Sequence, residues 1–398
     1  MNCVGCSERD NCLLCLFSLG KEVRRAFCAV LLSLLLVTLI VLSLDIQPTK
    51  ANTINVPGNY ATIQEAINHV NEGDVIYVSA GVYDENIVVN KTVVLIGDNQ
   101  KTQITGRLSD SVRIEADNVT FLGFNISAPT GHRGIVIASS SHVKIAGNVI
   151  GYMMYDFATG IFIGGGGNNS IVNNRIDLTD GIAVSGSANN LIMGNYFFAY
   201  SPVRLHGSSH NHIVRNWLCH TGTGGNDFDM WLDNSNGNTI EQNTFTLLGT
   251  LIRAHVYLEN STDNLFFHNS FEYVKWAPAV ETYGNTSNTL WDNGSEGNYW
   301  AFYEVDDLNG DGIGDTPYTI NDNFTDNYPL MQRYSWWNPS DVNGDFAVNI
   351  FDVVLLCGHY GSTAADSDWN WLYDIAEPYG KIDIFDLVTI AGNYGKQL

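Results

Sequence analysis

Asp307, Asn309, Asp311 and Asp315 stand at positions 1, 3, 5 and 9 of one short run, with Gly312 at position 6 and Tyr318 at position 12. Oxygen side chains at that spacing, with a glycine for the sharp turn, are what a calcium loop needs. A tyrosine in place of the bidentate carboxylate weakens such a loop, which is tolerable where calcium is millimolar. The same spacing returns at Asp341, Asn343, Asp345, Asn349 and Asp352, positions 1, 3, 5, 9 and 12, ahead of an apolar run that reads as a helix. A different chemistry is offered by Arg204, Trp231, Tyr257 and Glu281, with His206, Asp233 and Glu259 two residues after the first three, and Asp229 and His255 two before the aromatics. Aromatic faces stack on sugar rings, and paired carboxylates serve glycoside hydrolysis as acid and base. Trp231, Tyr257 and Glu281 are therefore candidate carbohydrate contacts. Asp229, Asp233, Glu259, Arg204, His206 and His255 are candidate catalytic groups.

The elements that position them are set by a repeat. The template N-x-[IL]-x-x-N-x-[FIL] recurs, its second Asn falling at Asn148, Asn174, Asn195, Asn216, Asn243, Asn269 and Asn293, in steps of 26, 21, 21, 27, 26 and 24 residues. That is the period of a stacked solenoid. Apolar and polar residues alternate within each rung, so the rungs are strands with one buried face. Eight and six residues before the first template Asn lie Ile161, Ile182, Val203, Met230, Val256 and Val280, and Ile163, Val184, Leu205, Leu232, Leu258 and Thr282, which are expected to point inward. Alternation then sends positions −9, −7 and −5 outward, aligning Phe162, Ala183, Arg204, Trp231, Tyr257 and Glu281 in one column. Each template Asn is expected to adopt left-handed backbone and to bond its neighbours in adjacent rungs.

The repeats, the opening Val56 to Gly106 and the close Gly297 to Met331 resemble right-handed parallel β-helix proteins of the NosD-like, carbohydrate-binding and sugar-hydrolase type. The resemblance implies an all-β, pectin-lyase-like solenoid with a short capping helix around Ile63 to Val70, and raises polysaccharide binding, polysaccharide cleavage and copper maturation as functions. Copper sites favour Met, Cys or clustered His, and here Met153 and Met154 stand adjacent, the His are scattered, and no Met-rich or His-rich run occurs. Gly81, Tyr83 and Glu85 also resemble the GxYxE strand of pectin methylesterases, without that family's further Gln, Asp and Arg motifs. Residues 341–398 resemble a dockerin, two calcium loop-helix repeats that dock to a cohesin-type partner. Phe346 replaces the turn glycine of the first loop, and the second, with an extra residue and a proline, leaves Asp374, Glu377, Asp383 and Asp386 as ligands.

A formal charge of −23 excludes nucleic acid as partner. Lys21, Arg24 and Arg25 precede 19 uncharged, mostly apolar residues, Ala26 to Leu44, which read as a signal or membrane anchor and predict export. Two CxxC pairs between Cys3 and Cys15 stand before it. The expected domains are a leader over 1–50, a β-helix over 53–333, a linker over 334–340 and the dockerin-like tail over 341–398. The function expected first is an extracellular or cell-surface protein that binds polysaccharide and docks to a cohesin-type domain with Ca2+. A polysaccharide lyase or glycosidase comes second, and a copper-maturation accessory third.

Overall fold

The computed structural model describes residues 51–98, 101–151, 158–222, 227–249, 252–272, 278–334, 340–342, 348–363, 373, 375–376 and 381–395. The leader therefore lies outside the described residues, as do Met153, Met154, Asn343, Asp345, Asp374 and Glu377. Among the described residues no helix is long and apolar enough to cross a membrane.

The chain winds into a right-handed parallel β-helix of about 9 turns. A 10-stranded sheet forms one face, here face A, with strands such as Leu191–Met193, His212–Val214 and Thr239–Glu241. A 17-stranded sheet supplies the rest, because the long strands Arg175–Ser185 and Tyr196–His206 run through a corner that divides it into two faces. Face B carries Trp217–His220 and Thr244–Leu247, and face C carries Thr159–Gly164, Phe228–Asp233, Ala254–Glu259 and Val280–Tyr283. The inward columns are as the alternation predicts. Ile161, Ile182, Val203, Met230, Val256 and Val280 pair in register and are buried, as are Ile163, Val184, Leu205, Leu232 and Leu258, while Thr282 is half-buried at the end of the coil.

The bend between faces A and B is held by the template Asn. Asn148, Asn174, Asn195, Asn216, Asn243 and Asn269 are buried, and each side-chain oxygen from Asn174 onward accepts the backbone N–H of the preceding ladder Asn, at 2.9–3.0 Å. Their amides donate to carbonyls of an earlier rung, as Asn243 does to Ile213 at 2.8 Å. A second ladder runs Asn169, Asn190, Asn211, Asn238, Asn264. The left-handed residues are not these Asn but their predecessors, Asn173, Gly194, Arg215, Gln242 and His268. Turn and hydrogen bonding are divided between neighbours, which corrects the expectation that one residue does both. Asn293 is also off the ladder: Leu290, not Thr289, aligns with Leu265, so the last rung slips by one, and after four further inserted residues Asn269 N–H donates to Asn298 at 3.0 Å instead.

Both ends are closed. At the start, helix α1 (Ile63–His69) covers the first rung, and the Glu85 carboxylate accepts the N–H groups of Ile63 and Gln64 at 2.9 and 3.0 Å. Glu85 of the GxYxE segment thus anchors a helix N-terminus, where unpaired donors and the helix dipole favour an anion. At the end, the ladder stops on Asp326, which accepts from Asn298 N–H, Trp300 Nε1 and Tyr328 N–H at 2.7, 2.9 and 3.1 Å. The last position receives donors only, which suits a carboxylate better than an amide. Gly297 must be glycine there, since a Cβ would lie 1.8 Å from Asp326. Burial pushes the Asp326 carboxyl up to about 6, against the pull of those three donors. Stacked rings plug the end, Phe266 on Trp291 at 4.3 Å and Phe271 on Trp300 at 4.4 Å.

The tail contains α2 (Ile350–Gly358) and α3 (Ile384–Asn393) around Val348, Leu356, Tyr373, Ile382 and Ile390. Asn349 and Asp383 cap these helices in matching capping boxes with Asp352 and Asp386, whose carboxyl groups are buried.

Candidate functional site

Face C brings the candidate carbohydrate residues together as the repeat predicts. Arg204 pairs with Trp231, Trp231 with Tyr257 and Tyr257 with Glu281, while His206, Asp233, Glu259 and Tyr283 form the adjacent column. The side chains interlock more than the sequence suggests. Trp231 and Tyr257 are half-buried, packed edge to face at 5.7 Å. Phe228 stacks on Tyr257 at 4.6 Å, and the Arg204 guanidinium lies 5.6 Å from the Trp231 ring centre. Two side-by-side exposed aromatics are thus replaced by one cemented patch, because Phe228 and Arg204 fill the gaps between rungs. Arg204 pairs with Asp180 at 3.2 Å, Arg253 with Glu281 at 2.7 Å and His206 with Asp233 at 2.5 Å. Burial pushes the Asp180 carboxyl up, opposed by Arg204 and aided by Asp227.

Asp229 and His255 are corrected from outward to inward, and both are fully buried. Their column reads Gly134, Gly160, Gly181, Pro202, Asp229, His255, and it sits at the corner between faces B and C, where the bend turns position −9 toward the core. A Cβ on Gly160 or Gly181 would meet Ile176 or Phe197 side chains at 2.5–2.6 Å. In the two rungs where Asp229 and His255 occupy it, they bond each other, Asp229 Oδ2 to His255 Nδ1, and His255 Nε2 donates to the Glu272 carbonyl at 2.7 Å. Since Nε2 faces a carbonyl and must carry hydrogen, the His255–Asp229 contact needs one further proton. His220 Nδ1 lies 3.4 Å from Asp229 Oδ1, also fully buried, and neither His220 nitrogen makes a hydrogen bond. These side chains touch the core, not the surface, so neither Asp229 nor His255 can reach a polymer on face C.

Sequence reasoning missed three features. Asp180 and Arg253 were invisible because corner loops of unequal length hide their register. His220 was missed because it ends a face-B strand. On face B, Tyr196 stacks on Trp217 at 5.8 Å, with Phe198 beside it under Arg175; alternation within 196–199 would have found them.

In the loop at 307–315, Asp307 accepts from Gly310, Asp311 and Gly312 N–H, and Asp315 from Leu308 N–H. Of the tail ligands, Asn349 Oδ1 accepts Phe351 N–H and Asp352 accepts Asn349 N–H. Asp386 accepts from Ile375, Ala376 and Asp383, each at 2.7–2.8 Å. Asp341 is half-buried. Among the described residues no three His, Cys, Asp or Glu gather as a metal site.

The NosD family, described as "Periplasmic copper-binding protein", matches residues 49–305. A probable pectinesterase/pectinesterase inhibitor of Arabidopsis thaliana is 32% identical over 23% of this chain, which spans only 20% of that protein's length. An alginate lyase from Paenibacillus sp. str. FPU-7 superposes with a TM-score of 0.50 at 16% identity, over 63% of this chain and 98% of that one. The tailspike protein 2 enzymatically active domain of bacteriophage CBA120 gives 0.45 at 11% identity, over 63% and 45%. At such identities the alginate lyase likeness concerns the fold alone.

Proposed function

This chain belongs to the NosD family, and on that premise we propose an exported β-helix protein that holds polysaccharide on face C and docks through its calcium-dependent tail to a cohesin-type partner. The observation that carries it is the in-register column Arg204, Trp231, Tyr257, Glu281 with His206, Asp233 and Glu259 beside it. Apolar ring surface among hydrogen-bonding groups is what a sugar's C–H face and hydroxyls match. The fold shared with an alginate lyase and the pectinesterase match agree with a polysaccharide-related role. Docking is supported by two matched apolar patches at the helix starts, Ile350, Phe351 and Val354 on α2 and Ile384, Phe385 and Val388 on α3, all about half exposed or more. A strongly acidic protein leaves such patches uncovered only if something covers them in use. Calcium would be held by Asp341, Asn343, Asp345, Asn349 and Asp352 in the first tail loop, less completely by Asp374, Glu377, Asp383 and Asp386 in the second, and by Asp307, Asn309, Asp311 and Asp315 at the close of the coil. A glycan array with the purified protein, with and without calcium, tests the polymer half, and absence of binding to any glycan would remove it. Calorimetry of residues 341–398 with calcium tests the tail; no calcium uptake would remove the dockerin-like assignment.

Copper does not fit the donors of the buried corner between faces B and C. His255 and Asp229 Oδ2 are engaged with each other and with the Glu272 carbonyl, leaving only His220 and Asp229 Oδ1. A second reading, glycoside hydrolysis, has one observation in its favour: Asp180, pushed up by burial beside the aromatic patch, is suited to act as an acid. Product analysis on any bound polymer, wild type against Asp180→Asn, decides it.

A further inference from the structure

Given polysaccharide binding on face C as proposed above, we infer that the polymer it takes is uncharged rather than a polyuronate. Among the described residues, both arginines that lie against the Trp231–Tyr257 patch, Arg204 and Arg253, already have a carboxylate partner, and His206 beside them contacts Asp233. Arg204 holds Asp180 at 3.2 Å and also donates to Ser201 Oγ at 2.9 Å. Arg253 holds Glu281 at 2.7 Å, and His206 holds Asp233 at 2.5 Å. The Asp180 and Glu281 side chains are each only 26% exposed. A uronate carboxylate recruiting either arginine would strand a half-buried anion, a cost comparable to breaking a partly desolvated ion pair. At the rim, Glu259 and Asp227 make no ion pair among the described residues and add negative charge to the same patch. Like charges brought together at an interface reject a partner. The guanidiniums, for their part, lie against rings, Arg204 on Trp231 and Arg253 on Phe228 and Tyr257 at 5.3 and 5.8 Å, where they extend a flat surface for a sugar face.

The consequence for chemistry is specific. Eliminative cleavage removes a proton made acidic by a carboxyl or carboxyl-ester group on the neighbouring sugar carbon, so an uncharged polymer that carries neither leaves hydrolysis or binding without cleavage, whatever the likeness to an alginate lyase in fold.

The test uses the full exported chain in calcium-free buffer and compares polygalacturonate with fully methyl-esterified pectin, the same backbone with its charge removed, beside neutral xylan, glucomannan and galactan. We expect retention by at least one uncharged polymer, at least tenfold tighter than polygalacturonate or alginate and insensitive to salt. Asp233→Asn with Glu259→Gln should narrow the gap by admitting the polyanions. Retention by polygalacturonate or alginate equal to or tighter than that by every uncharged polymer overturns the inference while leaving polysaccharide binding standing. Binding to none of the polymers removes the polysaccharide assignment and this inference together.

Discussion

Each rung of the coil turns between three faces, and two of these bends solve the same problem differently. At the bend between faces A and B, every buried amide of the ladder finds a partner one rung away, and the sequence there is nearly constant. At the corner between faces B and C, the chain runs straight through in two rungs, carries insertions in others, and buries His220, Asp229 and His255, with His220 Nδ1 3.4 Å from Asp229 but neither of its nitrogens hydrogen-bonded. A solenoid needs one bend in strict register to stack at all. The other is free to vary, and it is there that Arg, aromatic and carboxylate side chains gather beside face C.

The sharpest way to break this contrast is Asp229→Ala. It leaves two fully buried histidines without their carboxylate, so we expect a loss of about 3–5 kcal/mol in denaturant titration. A loss below about 1 kcal/mol would mean the corner cluster is not a coupled unit. The closing Asp326 should show itself in pH. Its folded carboxyl titrates near 6, above the ordinary 3.8, so the native state binds the proton more tightly. Its contribution is fully present below the ordinary value and lost as pH rises through about 6, by up to about 3 kcal/mol. Asp326→Asn should flatten melting temperature between pH 4 and 6, and an unchanged slope would contradict the assignment. At the regular bend, Asn243→Ala removes acceptors for Asn216 and donors to Ile213 and Asn269, and about 1–3 kcal/mol should be lost. The smallest effect is expected in the tail, where Asp386→Ala frees three backbone N–H groups and should lower helix content even in chelator, by about 1 kcal/mol. Helix content unchanged by that substitution would show the capping box to be dispensable.

The same contrast explains what could be read from the sequence. The repeat, the inward columns and the alignment of Trp231 with Tyr257 follow from period-2 alternation counted from a fixed Asn, and they hold wherever the count crosses no corner. Asp229 and His255 failed because the strand bends one residue before the count expects, which Gly160 and Gly181 in the same column hint at only once their crowding is seen. Asn293 failed because a one-residue slip followed by a four-residue insertion in the last rung preserves the Asn-rich look while moving the ladder to Asn298. The ion pairs of Arg204 and Arg253 join residues 24 and 28 positions apart across loops of unequal length, so no local pattern announces them.

The claim that face C holds sugar is tested most directly by measuring, on whichever polymer the array identifies, the affinity of Trp231→Ala and Tyr257→Ala beside Tyr196→Ala on face B. Loss of ring stacking should weaken binding by about 1–3 kcal/mol for each face C variant, with melting temperature little changed and the face B variant binding as wild type. Folded face C variants that bind as tightly as wild type, or a loss confined to Tyr196→Ala, would contradict it.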